Sequence, residues 1–210
     1  MTSPRVASPT ASAKTLLVLA SESPRRAALL AQVGIIPDFI LPAAIDETVR
    51  KAEQPRLHAL RLATEKARKV QGDWLSNPKG GKPAFILAAD TVVALGRRIL
   101  PKAGDDTEVR ACLAMLSGRR HQVITAVALV TPDGKLRTRV ATTRVSVLRL
   151  TQAQIEDYVQ SREGVGKAGG YAIQGRAEML IKEISGSYSN VVGLPLALTT
   201  ALLAGCGHGR

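Results

Sequence analysis

The sequence predicts an α/β fold organised on a mixed β-sheet, and three observations carry that expectation. Residues 16–20 and 84–89 are short, unbroken apolar runs, the pattern of strands covered on both faces. Segments with helical spacing of apolar residues separate such runs. Pro132-Asp133-Gly134 reads as a hairpin turn between two strand patterns, which adds antiparallel pairing to the sheet.

Each element follows from local chemistry. The run 16–20 leads straight into Ser21-Glu22-Ser23-Pro24-Arg25-Arg26. Ser23 suits the N-cap, and Pro24 the first helical position, where a missing N–H costs nothing. Leu29, Leu30 and Val33 give that helix an apolar face, and Gly34 suits its stop. Residues 37–41 are extended and run into Asp46-Glu47-Thr48. A helix is expected over 55–70, with Leu57, Leu60, Ala63, Ala67 and Val70 facing the core and Lys66 on the flank. Residues 72–82 read as a polar loop. Beyond the strand at 84–89, Asp90 follows at once, and Thr91 to Leu95 stays extended until Gly96-Arg97-Arg98 turns the chain. The stretch 96–105 is the expected break between two lobes.

Asp105 and Glu108 signal a helix start, with Val109, Leu113 and Leu116 inward and Gly118 at its end. Strands are expected over 122–130 and 136–150, and the Thr151/Gln154 pair caps a further helix. A glycine-rich loop at 164–170, a strand-like segment at 179–184 and a last helix from Leu194-Pro195 complete the chain. Residues 1–14, rich in Ser, Thr, Ala and Pro, read as a flexible tail, and residues 15–207 as one domain.

Composition narrows the function. A chain of 210 residues buries roughly 70–75% of its unfolded surface. With 45% hydrophobic but only 3% aromatic residues, the core is aliphatic and a base-stacking surface for nucleic acid is disfavoured. The net charge of +12 favours anionic partners. That charge is dispersed, as in Arg25-Arg26, Arg97-Arg98 and Arg119-Arg120, with no basic tail. Cys112 and Cys206 form no CxxC; Cys112 reads as a buried thiol, which suits a reducing cytoplasm. No apolar run approaches a membrane span.

Several residues carry candidate chemistry. Arg25 and Arg26 fall on a first helical turn, where the helix dipole disfavours cations and free N–H groups attract anions. They point to an incoming polyanion, or else lie on a solvated face. Asp90 closes an apolar strand pattern, a costly place for a carboxylate unless it is paired, metal-bound or at a mouth. Its bland alternative is a capping or turn aspartate. Glu47 offers a second carboxylate for a divalent cation, or is a solvated loop residue. Lys66 and Lys102 lead toward the same region, and Gln174, before Gly175, suits the edge of a heterocycle. Residues 166–170 lack the P-loop pattern, no Rossmann glycines follow the first strand, and no G-x-S-x-G occurs. His58, His121 and His208 lack metal spacing, and His121 reads as a strand-edge polar residue. Attack by water on a phosphoanhydride is the simplest chemistry for this inventory.

Six blocks in order resemble the Maf family of nucleotide pyrophosphatases, over about residues 16–200. They are Leu19-Ala20-Ser21-x-Ser23-Pro24-Arg25-Arg26, Asp46-Glu47 with Lys66-Ala67, Ala89-Asp90-Thr91-Val92-Val93, Ser117-Gly118-Arg119 with His121 and Val123-Ile124-Thr125-Ala126-Val127, Lys167-Ala168-Gly169-Gly170-Tyr171-Ala172-Ile173-Gln174-Gly175, and Val191-Val192-Gly193-Leu194-Pro195-Leu196. The fifth block resembles the branch acting on dTTP and UTP. The resemblance implies an elongated mixed sheet of Maf/ITPase-like type, two lobes with a cleft between them, and a homodimer. It implies hydrolysis of a nucleoside triphosphate to the monophosphate and pyrophosphate with Mg²⁺ or Mn²⁺. By the same resemblance Asp90 is the general base and, with Glu47, a metal ligand. Ser21, Arg26, Lys66 and Lys102 handle phosphate, while Arg25, Thr91 and Gln174 set substrate choice. Pro101-Lys102-Ala103 departs from the usual Gly-Lys-Pro or Glu-Lys-Pro, and Gly166 stands where many members carry Asp. Two alternatives remain at this point: a nucleotide-sensing regulator of cell division without essential catalysis, and a nucleic-acid-binding module.

Overall fold

The computed structural model describes residues 15–77 and 81–209, so the tail expected at 1–14 lies outside the described residues. The elements are β1 (Leu16–Ala20), α1 (Pro24–Gln32), β2 (Phe39–Ile40), α2 (Pro55–Ser76), β3 (Ala84–Leu95), β4 (Arg98–Leu100) and α3 (Asp106–Leu116). There follow β5 (Arg120–Val130), β6 (Leu136–Val147), α4 (Gln152–Gln160), β7 (Ile181–Ser185), α5 (Tyr188–Val192) and α6 (Leu196–Gly205). They form the expected mixed α/β fold, with a seven-stranded sheet in the order β2-β1-β3-β5-β6-β7 and β4 paired to β3.

The sheet changes character across β3. Strands β2 and β3 both run parallel to β1, whereas β4 and β5 run antiparallel to β3. On one side, β1 pairs with β3 only as far as Ala20↔Ala88, and β4 takes up pairing at Val93↔Leu100. Between these contacts, residues 89–92 have no strand neighbour on that side, while β5 continues to pair with them on the other. A cleft lined by Ala20, Ser21, Asp90 and Thr91 opens at this gap. Asp90 therefore lies inside a twelve-residue strand, at the point where its parallel neighbour stops.

Strand alternation divides the core between two faces. Leu17, Leu19, Leu87 and Ala89 join a cluster that takes in residues of α1, α3, α4 and α6. Val18, Ala20, Ile86 and Ala88 meet Ala59, Ala63, Ala67, Val70 and Trp74 of α2. Alternation thus sends Asp90 to the α2 face and Thr91 to the opposite one.

Local signals held where the chemistry was local. Asp105 accepts from Glu108 N at 2.8 Å, and Thr151 with Gln154 forms a reciprocal capping box. Ser23 occupies the N-cap of α1 but makes no side-chain cap bond; its N–H donates to Ser21 Oγ at 3.2 Å instead. Helix α2 passes through Gly72, read from sequence as the start of a loop. Trp74 is buried, packs on Phe39, and donates its Nε1–H to Lys82 O at 2.9 Å. Those contacts outweigh the ~1 kcal/mol that a helical glycine costs. The buried stripe of α2 runs through His58, Ala59, Leu62, Ala63, Lys66, Ala67, Val70 and Trp74, leaving Leu57 outside it and 54% exposed. The stretch 96–105 forms the β3–β4 turn, β4 and the entry to α3, and Leu100 and Ala103 within it are buried. Segment 179–184 divides into the end of a short 3₁₀ turn and β7.

Candidate active site

Nine residues singled out from the sequence, Ser21, Arg25, Arg26, Glu47, Lys66, Asp90, Thr91, Lys102 and Gln174, line one cleft of about 390 Å³. They arrive from separate elements: the β1–α1 turn, the first turn of α1, the loop before α2, α2 itself, the middle of β3, the segment after β4, and the loop before the 3₁₀ turn.

The centre of the cleft is a chain of charges. Lys66 projects from the buried stripe of α2 and its ammonium contacts Asp90 Oδ1 at 2.7 Å and Glu47 Oε1 at 2.6 Å. Lys102 contacts the other Glu47 oxygen, Oε2, at 2.5 Å. Lys66 and Asp90 are both buried, Glu47 is partly exposed and Lys102 is exposed. Burial alone would raise the Glu47 pKa. The hydrogen bonds from Lys102 and Lys66 outweigh it and bring the carboxyl from 4.5 down to about 2. The departure at Pro101-Lys102-Ala103 leaves this contact intact. Lys102 lies in an antiparallel bridge with Ala168, and Ala103 N donates to Lys167 O at 3.1 Å.

Arg26 is built differently from Arg25. It is buried; Nε donates to Gly193 O at 2.9 Å, Nη1 to Ser21 Oγ at 3.0 Å and Nη2 to Thr91 Oγ1 at 3.3 Å. Burial lowers its pKa, with Asp90 pulling the other way. Ser21 Oγ accepts from both Arg26 and Ser23 N, so its lone pairs are occupied and its own proton is available to a ligand. Thr91 Oγ1 lies 3.0 Å from Thr125 Oγ1, which donates to Asn190 O, and Asn190 in turn donates to Val123 O and Thr143 Oγ1. This buried polar chain ties α5 and Gly193 to the floor of the cleft. Arg25 is half-buried, and its pKa is lowered by that burial. Gln174 is exposed at the rim.

The cleft also contains residues given no role from sequence, among them Lys167, Tyr171 and the α5–Gly193 segment. A lysine set before Ala168-Gly169-Gly170 was the one available signal for the first. His121 is not at a strand edge: it is buried, and its Nε2 lies 2.8 Å from Tyr171 Oη. On β5, alternation puts His121 on the same face as Val123 and Val127, which belong to the core cluster, and that face carries it inside. Burial lowers the His121 pKa to about 4. Tyr158 Oη accepts from Ala172 N at 3.0 Å, so two hydroxyls hold the base of the Gln174 loop.

Fold and cleft together define an α/β protein whose sheet opens onto a cation-rich pocket centred on two carboxylates. The chain belongs to the Maf family: the family description "Maf-like protein" matches residues 16–206. It is 56% identical over 191 residues to a protein of Mesorhizobium japonicum named dTTP/UTP pyrophosphatase, covering 91% of each chain. It is 55% identical to a protein of that name from Caulobacter vibrioides, covering 91% of this chain and 96% of the other. A solved HAM1 protein from Coxiella burnetii resembles it with a TM-score of 0.48 and 15% identity, covering 90% of this chain and 99% of that one. Among the described residues no helix is long and apolar enough to cross a membrane.

The Glu47 arrangement carries a pH dependence. Its folded pKa lies below the ordinary value, so its contribution to stability is complete above about pH 4.5 and is lost as pH falls toward about 2. In urea unfolding, the gap in midpoint between wild type and Glu47→Gln is therefore widest above pH 4.5 and shrinks on acidification. A gap that stays constant from about pH 6 to pH 3 contradicts the arrangement.

Proposed function

We propose that the protein hydrolyses nucleoside triphosphates, dTTP and UTP foremost, to the monophosphate and pyrophosphate. The observation that carries this reading is the ammonium of Lys66 held between Asp90 and Glu47 in a cleft that also contains Arg25, Arg26 and Lys102. The names of the relatives in Mesorhizobium and Caulobacter support the choice of substrate.

The chemistry follows from the side chains. Asp90 takes a proton from water as the water oxygen attacks the α-phosphorus, and the bond from that phosphorus to the bridging oxygen breaks to release pyrophosphate. Lys66 fixes Asp90 Oδ1 at 2.7 Å and so orients the carboxylate toward the cleft. Ser21 offers a hydroxyl proton to a phosphate oxygen, while Arg25, Arg26 and Lys102 supply positive charge to the triphosphate. Thr91 shares its hydroxyl with Arg26 and Thr125, and holds the guanidinium in place. Gln174 at the rim presents an amide donor and acceptor to the pyrimidine edge.

A divalent cation fits this donor set. Glu47 and Asp90 already converge on one cation, the Lys66 ammonium, and both offer the hard oxygen ligands that Mg²⁺ or Mn²⁺ prefers. Glu47 and Asp90 would hold the cation, and since among the described residues no third His, Cys, Asp or Glu joins them, its further ligands would come from outside that set. When bound, the cation neutralises charge on phosphate oxygens. Cytoplasmic residence, which unpaired Cys112 and Cys206 support, belongs to the same reading.

Asp90→Asn is expected to lower kcat on dTTP by about 10²–10⁴ while nucleotide still binds. Wild-type turnover in that variant would remove Asp90 from the mechanism. Gln174→Ala is expected to erode the preference for dTTP and UTP over purine nucleotides in a panel assay of pyrophosphate release; an unchanged ranking rejects the base contact. The protein is expected to be a homodimer, and light scattering that returns the monomer mass overturns this.

A further inference from the structure

The cations of the cleft fall into two groups. Lys66 and Lys102 are matched by Asp90 and Glu47 at 2.5–2.7 Å. Arg26 directs donors to three protein oxygens. Arg25 and Lys167 have no such counterpart. Among the described residues neither has a carboxylate within ion-pair distance, and Arg25 has no protein acceptor at all. Lys167 Nζ makes one long hydrogen bond, 3.3 Å, to Val165 O. Glu22, exposed at the rim, pairs with neither.

The fold nonetheless brings these two cations together. Arg25 stands on the first turn of α1, and Lys167 on the glycine-rich loop, and both line the cleft. That loop is pinned to the segment after β4 by Ala103 N to Lys167 O at 3.1 Å and by Gly169 N to Pro101 O at 3.0 Å. Gly169 adopts φ +70°, and a Cβ there would come within 2.7 Å of Val93 Cγ1, so the loop is seated close on β3. Burial and the neighbouring Arg25 charge both lower the Lys167 pKa, the mark of two like charges held near each other. Such an arrangement disfavours the empty protein and is relieved by an anion.

We propose that Lys167 is a substrate-binding residue which, with Arg25, forms the seat for the terminal phosphates of the nucleotide and for pyrophosphate as it leaves. The inference rests on the hydrolase reading above and goes beyond it by assigning Lys167. Charge bookkeeping selects the terminal phosphates. A pyrimidine base is neutral and leaves two unmatched cations unmatched. The α-phosphate lies beside Asp90, where the ammonium groups of Lys66 and Lys102 already face two carboxylates. Pyrophosphate is the most highly charged part of the ligand, and Arg25 with Lys167 is the part of the wall with unmatched positive charge.

Calorimetric titration of the intact protein with inorganic pyrophosphate, and separately with thymidine monophosphate, in one Mg²⁺ buffer tests this. Lys167→Met is expected to weaken pyrophosphate binding by about tenfold or more, the loss of one charge-assisted contact, and to change monophosphate binding by less than about twofold. Lys167→Arg, which keeps the charge, is expected to retain pyrophosphate affinity within about threefold. Thermal melts confirm that each variant is folded, and Lys167→Gln replaces the methionine variant if that one is not. Three results overturn the proposal: wild type that does not bind pyrophosphate, unchanged pyrophosphate affinity in Lys167→Met, or equal loss of both ligands. Wild type that binds pyrophosphate but releases none from dTTP or UTP refutes the hydrolase reading instead, and leaves the Lys167 comparison to be decided on its own.

Discussion

The cleft depends on one interaction, the Lys66 ammonium between Asp90 and Glu47. Lys66 lies on the stripe of α2 that packs against the sheet, flanked by Ala63, Ala67 and Val70, and Asp90 lies on the strand face it meets. Either charge alone at that depth would be costly; together they satisfy each other. Such a pair adds little stability over an apolar pair of the same volume, whereas removing one partner costs roughly 3–5 kcal/mol. Glu47 extends the same network outward and takes in Lys102 from the segment after β4, so one carboxylate holds two lysines from distant parts of the chain.

The arginine pair illustrates how burial sorts chemically identical residues. Arg25 and Arg26 are adjacent, and a helix turns about 100° per residue, so they leave the first turn in different directions. Arg26 enters the interior, where Ser21, Thr91 and Gly193 receive its donors and the remaining N–H groups are left for a ligand. It therefore ties β1, β3 and the segment after α5 together at the cleft floor. Arg25 stays at the wall, half-buried and without an acceptor among the described residues. One guanidinium is taken up by the protein's own oxygens, and the other lines the cleft.

Much of this was legible in the sequence because it is local. Capping at Asp105 and at Thr151 with Gln154 uses groups three residues apart, and both appear as read. The mixed sheet followed from two apolar runs and one hairpin turn. Errors came where distant contacts decide. Gly72 reads as a breaker until Trp74 is buried against Phe39, a residue far back in the chain. Leu57 reads as core until the stripe of α2 is set by what the sheet offers. Helix α5 has five residues, too few to show a period, and is held by Asn190 and Ser187 rather than by pattern. The burial of Lys66 depends on the register of α2 over β3, which no local signal carries. Its role came from resemblance, and so did the grouping of the nine residues on one cleft.

The position of the cleft follows from topology more than from any side chain. A strand in a purely parallel sheet loses its neighbours near its own end, and an active group must then sit at that end. Strand β3 instead continues seven residues beyond Ala88, where pairing with β1 ceases. Its antiparallel partner β5 runs alongside through Ala94, so the backbone stays extended without β1. Strand β4 returns only at Val93. An opening is thereby cut into one side of a strand that remains rigid on the other. Asp90 and Thr91, consecutive in that opening, face opposite sides of the sheet. One meets the carboxylate-and-lysine network and the other the buried arginine. Both halves of the site are thus held by a single stretch of backbone, and their spacing is that of one peptide unit.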